Sequence, residues 1–252
     1  MSSTRGAGPS RTVVDCTRRD PVAFEQVYAV GDVHGRLDLL AALEGRILAD
    51  ARRRRLLRWA VCYLGDYVDR GPDSRGVLDR LCRNPLGLPA QVFLAGNHED
   101  SMQAFLDGQT DGISWMQFGG IATLASYGLA FPDTACPDTA TLRNRLRARM
   151  PPRHRAFLSS LRACFRWNGF LLVHAGVMPD RPLKAQRRRD LTTIREPFLS
   201  APPGGVLVVH GHTVQAEPVL RPGRLGIDTG AYLSGRLTAA LLGAGEIAFL
   251  ST

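Results

Sequence analysis

Five short polar clusters follow apolar runs in this chain, and their side chains could do chemistry only in combination. Asp32 and His34 close the run 26–30, Asp66 and Asp69 follow 59–65, and Asn97 and His98 follow 91–96. His174 ends the run 170–173, and His212 comes after 206–210. The inventory is three carboxylates, one side-chain amide and four of the chain's six imidazoles. Oxygen and nitrogen donors without a thiolate suit Mn, Fe or Zn, and the set is large for a single ion. Two ions about 3.5–4 Å apart that share a carboxylate can activate water and neutralise charge on a phosphoryl group during in-line displacement. Asp32 and His34, two apart on an extended segment, face the same side and would grip one ion together.

Such residues meet only if the segments that carry them do. The run 26–30 reads as a buried strand, after which Leu40, Leu43 and Ile47 fall on one helical face. Runs 59–65 and 91–96 read as the next strands, with a shorter helix after the Gly-Pro-Asp-Ser turn at 71–74, in βαβ-sized repeats of about 30 residues. Residues 101–165 read as a mainly helical insert, broken by a Gly/Pro-rich loop near 127–138. Beyond it, 169–176, 205–213, 224–231, 236–243 and 246–250 read mostly as strands. This is an α/β pattern, and in an α/β sheet the carboxyl ends of the strands share one edge where ligands bind.

Composition narrows the class. With 252 residues and 44% hydrophobic content the chain can bury a sizeable core. Residues 1–21 read as a loose tail and 22–252 as a single domain, with order setting in near Val22. No apolar stretch reaches the roughly 18 residues of a membrane span, and the first 20 residues lack a hydrophobic segment of signal-peptide type. A cytoplasmic protein with no membrane partner is therefore expected. The five cysteines, at 16, 62, 82, 136 and 164, are scattered and read as reduced packing residues. The net charge of +9 raises nucleic acid as a partner. However, 31 of the 32 basic side chains are arginine, and the runs at 51–58, 143–155 and 186–190 lack interleaved aromatics. Solvated helix faces are the expected state of these runs, which leaves the charge to suit an anionic substrate.

The blocks Gly31-Asp32-Val33-His34-Gly35, Gly65-Asp66-Tyr67-Val68-Asp69-Arg70-Gly71 and Gly96-Asn97-His98-Glu99 resemble three signature blocks of the phosphoprotein phosphatases, within the calcineurin-like metallophosphoesterases. His174-Ala175-Gly176 and Gly211-His212-Thr213 are similar to the later blocks of the bacterial and phage serine/threonine protein phosphatases. The resemblance spans about 22–250 and implies an α/β sandwich of mixed sheets flanked by helices. It implies that Asp32, His34 and Asp66 bind a first metal, that Asp66 bridges, and that Asn97, His174 and His212 complete a second. Mn²⁺ is the expected ion of the pair, with Fe, Zn or Mg as alternatives. His98 would be the general acid, oriented and kept cationic by Asp69, and a dimetal-bound hydroxide the nucleophile. Arg70 would bind phosphoryl oxygens, joined by Arg195, although resembling sequences usually carry Trp two residues before that arginine where this chain has Thr193.

The activity so implied is that of a serine/threonine protein phosphatase acting on phosphorylated proteins or peptides. Glu99 and Asp69-Arg70-Gly71 favour it over the symmetrical diadenosine tetraphosphate hydrolases, the nearest alternative, whose substrate is a nucleotide polyphosphate. A nucleic-acid-binding or scaffold protein with a vestigial site is the alternative of another class, and the presence of every candidate ligand argues against it. Of the remaining candidates, His210 is expected to pack or hydrogen-bond and His154 to lie on the surface. Trp115 and Phe118-Gly119-Gly120 are expected to pack the insert or line its rim, and Asp228 to act as a turn residue or acceptor behind the ligands.

Overall fold

The computed structural model describes residues 12–18, 24–129, 138–243 and 245–252. Val22 and Cys136 lie outside the described residues. Two five-stranded sheets and a two-stranded ribbon are formed. The ribbon pairs β1 (Val13–Val14) with β7 (Gln186–Arg187). The first sheet has the order β12-β11-β2-β3-β4, built from β2 (Gln26–Val30), β3 (Trp59–Tyr63), β4 (Gln91–Phe93), β11 (Thr238–Gly243) and β12 (Glu246–Ser251). The second has the order β5-β6-β8-β10-β9, built from β5 (Cys164–Trp167), β6 (Phe170–Val173), β8 (Leu207–His210), β9 (Val219–Arg221) and β10 (Arg224–Gly226). The strands β2, β3 and β4 are parallel, as are β6, β8 and β10, while the flanking strands run antiparallel. The mixed sheets are those expected from the sequence.

Alternation along the strands builds three layers of core, because successive side chains leave a strand on opposite faces. Val27 and Ala29 of β2, with Ala240 and Leu242 of β11, meet Phe165, Trp167, Leu172 and Val209 of the second sheet to fill the sandwich. Their neighbours Tyr28, Val30, Ala239 and Leu241 face the helical layer, where Leu40, Leu43 and Ile47 of α1 (Leu37–Arg53) pack as their spacing requires. On the far side of the second sheet, Leu171, Val173 and Val208 pack against Leu191, Phe198 and Cys16. Residues 12–18, counted by the sequence reading in the loose tail, are thus pinned by β1 and by Cys16, which is fully buried and donates its backbone N–H to Leu183 O.

Helix α2 (Ser74–Arg83) starts where the turn residues direct, with the Asp73 carboxylate accepting from Gly76 N. Helix α3 (Asn97–Leu106) opens the helical region four residues earlier than the expected insert. It continues as α4 (Ile113–Trp115), a π-type turn over Met116–Gly120, α5 (Ile121–Ser126), α6 (Thr139–Arg149) and α7 (Pro152–Ser160). Two short helices complete the set, α8 (Arg188–Thr193) and α9 (Ala231–Ser234). The arginine runs are more engaged than solvated faces: Arg54 pairs with Asp50 and Glu246, Arg153 with Asp79, and Arg188 with Asp100. Among the described residues, no helix is long and apolar enough to cross a membrane.

Candidate metal centre

Every parallel strand ends at the same edge, and each sends one polar loop into it. Asp32 and His34 follow β2, Asp66 follows β3, Asn97 and His98 open α3 after β4, His174 follows β6, His212 follows β8 and Asp228 follows β10. Five of these loop residues hold left-handed backbone: His34, Asp66, Asp69, Arg70 and His212, with φ of 45°, 49°, 73°, 67° and 62°. Non-glycine residues there cost of order 1–3 kcal/mol each and persist only where surrounding structure over-determines them. Glu99 supplies part of that surrounding structure, its buried carboxylate accepting from the backbone N–H of Asp66 (2.9 Å), Tyr67 (2.7 Å) and Gly96 (2.9 Å). Close approach fixes two glycines of the motif blocks: a Cβ at Gly96 would run into Asp66 Oδ1, and one at Gly211 into Asp32 Oδ1.

Asp66 is the hub. Its Oδ2 lies 3.4 Å from His34 Nε2, 3.4 Å from His174 Nε2 and 3.9 Å from His98 Nε2. Two groups that could hold a metal ion share it: His34, Asp66 and His98, and Asp66, His174 and His212. The Nδ1–H of His34 donates to Val68 O (2.9 Å) and that of His174 to Leu64 O (3.0 Å), which leaves both Nε2 lone pairs facing the Asp66 carboxylate. Asn97 Oδ1 and His212 Nδ1 stand 3.1 and 3.3 Å from His174 Nε2. The two Nε2 atoms, Asp66 Oδ2 and Asn97 Oδ1 are therefore acceptors facing acceptors, an arrangement that cations between them resolve. Asp32 lies beside the second group, with Oδ2 accepting from His212 N (3.0 Å), while Asp32 Oδ1 and His212 Nε2 are buried without a partner. Burial pushes the His34 and His212 imidazoles down to about 3, which keeps them neutral and ligand-competent at neutral pH. Burial also pushes Asp32 well above the usual carboxylate range, aided by the charges of Asp228 and Asp66. Burial alone would raise Asp66 too, but the imidazoles of His174, His98 and His34 hold it below its ordinary value. A buried carboxylate cluster ringed by imidazoles fits two divalent cations.

His98 is held differently. Its Nδ1–H donates to Asp69 Oδ2 at 2.7 Å, and both side chains are buried. Burial works against protonation of this imidazole, yet Asp66 and Asp69 outweigh it and raise its pKa. Asp69 is itself locked by the insert: Trp115 Nε1–H donates to Oδ2 (2.9 Å) and the Thr123 hydroxyl to Oδ1 (2.6 Å). Arg70 places Nη2 3.1 Å from His98 Nε2, and its guanidinium lies 4.6 Å from the Tyr232 ring centroid. Its own backbone N–H donates to Gly119 O at 3.2 Å. On the opposite flank, exposed Arg195 reaches His212 O with Nη2 at 3.5 Å.

All ten residues singled out from the sequence thus gather at one edge. Thr123 is the member missed in the sequence, since the insert shows no motif of its own; Trp115, expected to pack the insert or line its rim, packs in the helical layer and also bonds Asp69. Asp228 stands behind Asp32 and accepts from Gly230 N (2.8 Å). His210 packs against Phe198 and donates to Gly211 O. His154 is a correction: it is fully buried, not on the surface, bonded to Tyr127 OH (2.7 Å) and Asp79 Oδ1 (3.0 Å). Its arginine-rich neighbours turn outward on α7 while it faces α2. The Glu99 carboxylate, used in the sequence as a mark of the protein phosphatases, accepts from backbone N–H groups of the site loops.

The family model described as calcineurin-like phosphoesterase matches residues 26–222. An asymmetrical bis(5'-nucleosyl)-tetraphosphatase PrpE from Anoxybacillus flavithermus is 25% identical over 197 residues, covering 71% of this chain and 74% of that protein. A symmetrical bis(5'-nucleosyl)-tetraphosphatase from Ralstonia nicotianae is 31% identical over 159 residues, covering 63% of this chain and 44% of that protein. The crystal structure of a putative diadenosine tetraphosphatase superposes with a TM-score of 0.62 at 24% identity, over 92% of this chain and 96% of that one.

Proposed function

Since the chain belongs to the calcineurin-like phosphoesterase family, we propose that it hydrolyses a phosphoanhydride bond in dinucleoside polyphosphates of the bis(5'-nucleosyl) tetraphosphate class. The similarity to proteins named for that activity supports this over a phosphoprotein substrate. The observation that carries the reading is the pair of guanidiniums on the two flanks of the Asp66 cluster, Arg70 against His98 and Arg195 against His212. A tetraphosphate chain presents charged oxygens on both sides of the bond that breaks, and two planar donors held apart by the ligand cluster match it.

Asp32, His34, Asp66, Asn97, His174 and His212 are the residues that would hold two divalent ions, with Asp66 shared. When bound, such ions make water a competent nucleophile at neutral pH and offset charge on the phosphoryl oxygens; Mn²⁺ is the ion proposed. His98, protonated at Nε2 and aimed by Asp69 at Nδ1, gives its proton to the departing phosphate oxygen as the P–O anhydride bond breaks and water adds to phosphorus. Arg70 Nη2 and His98 Nε2 converge on one spot, where a phosphoryl or leaving oxygen accepts from both. The Trp115 and Thr123 donors keep Asp69 in place through the cycle.

A competition assay tests the reading. Metal-stripped protein resupplied with Mn²⁺ is given diadenosine tetraphosphate, a phosphoserine peptide and a phosphotyrosine peptide together, with products identified by mass. Selective nucleotide cleavage is expected, and selective release of phosphate from a peptide would return the protein to the phosphoprotein phosphatases.

A further inference from the structure

A cavity of about 460 Å³ opens beside the metal ligand Asn97, between α3, the α4 segment and α8. Its size falls in the range of small-molecule sites. Ala104 and Trp115 give it an apolar wall, Ser101 and Ser114 offer hydroxyls, and Arg189 and Thr193 close the α8 side. The walls are fixed before any ligand arrives. Asp100 on α3 pairs with Arg188 (2.8 Å) and accepts from the Thr192 hydroxyl (3.2 Å), which clamps α8 to α3, while the Trp115 indole is held by Asp69. The Arg189 guanidinium is exposed and has no partner among the described residues. A second cavity is lined by Arg70, Arg36 and Arg80, but Arg36 and Arg80 are already paired with Asp38 and Glu44 and Arg70 is turned to His98. The Asn97 cavity therefore keeps its cation for a ligand.

We propose that this cavity is the subsite for one nucleoside of the substrate, with Thr193 setting its capacity and Arg189 binding the phosphate next to that nucleoside; the proposal rests on the nucleotide reading above. The occupant follows from position and chemistry. The cavity is lined at one end by Asn97, so a group lodged there lies within reach of a phosphoryl chain held at the cluster. A mixed wall of apolar surface and hydroxyls suits a base and a ribose, and an unpaired guanidinium suits an adjacent phosphate. Thr193 lines the cavity from α8, on the same segment as Arg195. An indole at that position would take up space that the threonine leaves open.

The test compares adenosine 5'-monophosphate with inorganic phosphate as ligands of the Mn²⁺-loaded protein by calorimetry, together with kcat/KM for diadenosine tetraphosphate and for p-nitrophenyl phosphate. In the unaltered protein the nucleotide should bind at least tenfold more tightly than phosphate. Thr193→Trp should cut that advantage, and the ratio of the two kcat/KM values, about tenfold or more; Ala104→Phe, filling the cavity from the opposite wall, should do the same if the first variant misfolds. Arg189→Ala should lower the same ratio severalfold through KM. Equal binding of nucleotide and phosphate by the unaltered protein, or an unchanged ratio in both filling variants, would overturn the subsite. Preference for phosphopeptides over the dinucleotide would sink the underlying reading instead, and the binding comparison would still decide whether the cavity takes a nucleoside.

Discussion

Replacing Asp69 with Asn tests whether His98 works as a proton donor. The His98 Nδ1 to Asp69 Oδ2 bond is 2.7 Å long, with His98 3% exposed and Asp69 fully buried, so solvent screens it little. A hydrogen bond to a charged group is worth about 1.5–3 kcal/mol, and 1.36 kcal/mol corresponds to one pKa unit. Asp69→Asn should therefore bring the His98 pKa down by about 1–2 units. Of the influences that remain, burial and Arg70 act downward and the Asp66 charge acts upward. A general acid is active only while protonated, so rate falls as pH rises through its pKa. The alkaline limb of the kcat profile should move to lower pH by that amount, and kcat near pH 8 should drop about 10–100-fold. The assay is a pH–rate series on diadenosine tetraphosphate and on an alkyl phosphate, whose poorer leaving group needs the proton more and should suffer more. A thermal melt run in parallel guards against collapse of the Trp115 and Thr123 bonds to the new amide. An alkaline limb that stays in place, or equal losses for both leaving groups, would show that His98 is not the acid.

Asp66→Asn should lower both bound metal and turnover, since one carboxylate serves both groups; metal analysis after gel filtration reads this, and unchanged content would refute the shared-ligand role. Glu99→Ala should strip the acceptor from four backbone N–H groups, those of Asp66, Tyr67, Val68 and Gly96, and destabilise by several kcal/mol, at about 1–3 kcal/mol per buried group left unsatisfied, seen as a lower Tm. Glu99→Asp should cost stability without shifting peptide-versus-nucleotide preference, because the carboxylate does not reach the substrate. His210 is pushed down to about 4 by burial, below its unfolded value, so the unfolded state takes up the proton first. Its contribution to stability is present above pH 6.5 and is lost as pH falls toward 4, about 3 kcal/mol in all. Denaturant melts should show His210→Phe losing less stability than the unaltered protein over that window, and parallel losses would refute the assignment.

The layers and the site edge were legible because they rest on local rules. The run 26–30 is apolar almost throughout, as a strand covered on both faces is, and Leu40, Leu43 and Ile47 recur at helical spacing, so β2 and α1 could be placed from the sequence alone. The candidate ligands could be found because each follows such a run directly. What escaped the sequence depends on partners far along the chain. His154 sits among arginines and looks solvated until α7 docks on α2 and brings Asp79 and Tyr127 to it. Cys16 looks like part of a tail until β7 gives β1 an edge to pair with. Neither pairing leaves a pattern within its own segment.

Glu99 and Trp115 show how the same edge is kept in its strained form. The left-handed residues Asp66, Asp69 and Arg70 form one continuous loop with no glycine between them to relieve it, so the loop needs outside support. Glu99 grips the loop's first half from α3, and the insert grips its second half through Trp115, Thr123 and Gly119 O. The insert is thus part of the machinery that aims His98 and Arg70, and Trp115→Phe reports this directly. Loss of one donor from the Asp69 carboxylate leaves its charge intact and its position less defined. Turnover should therefore fall severalfold while bound metal is unchanged, and Trp115→His, which restores an N–H, should recover part of the loss. If metal content falls in step with turnover, the insert supports the cluster as a whole and not the acid alone.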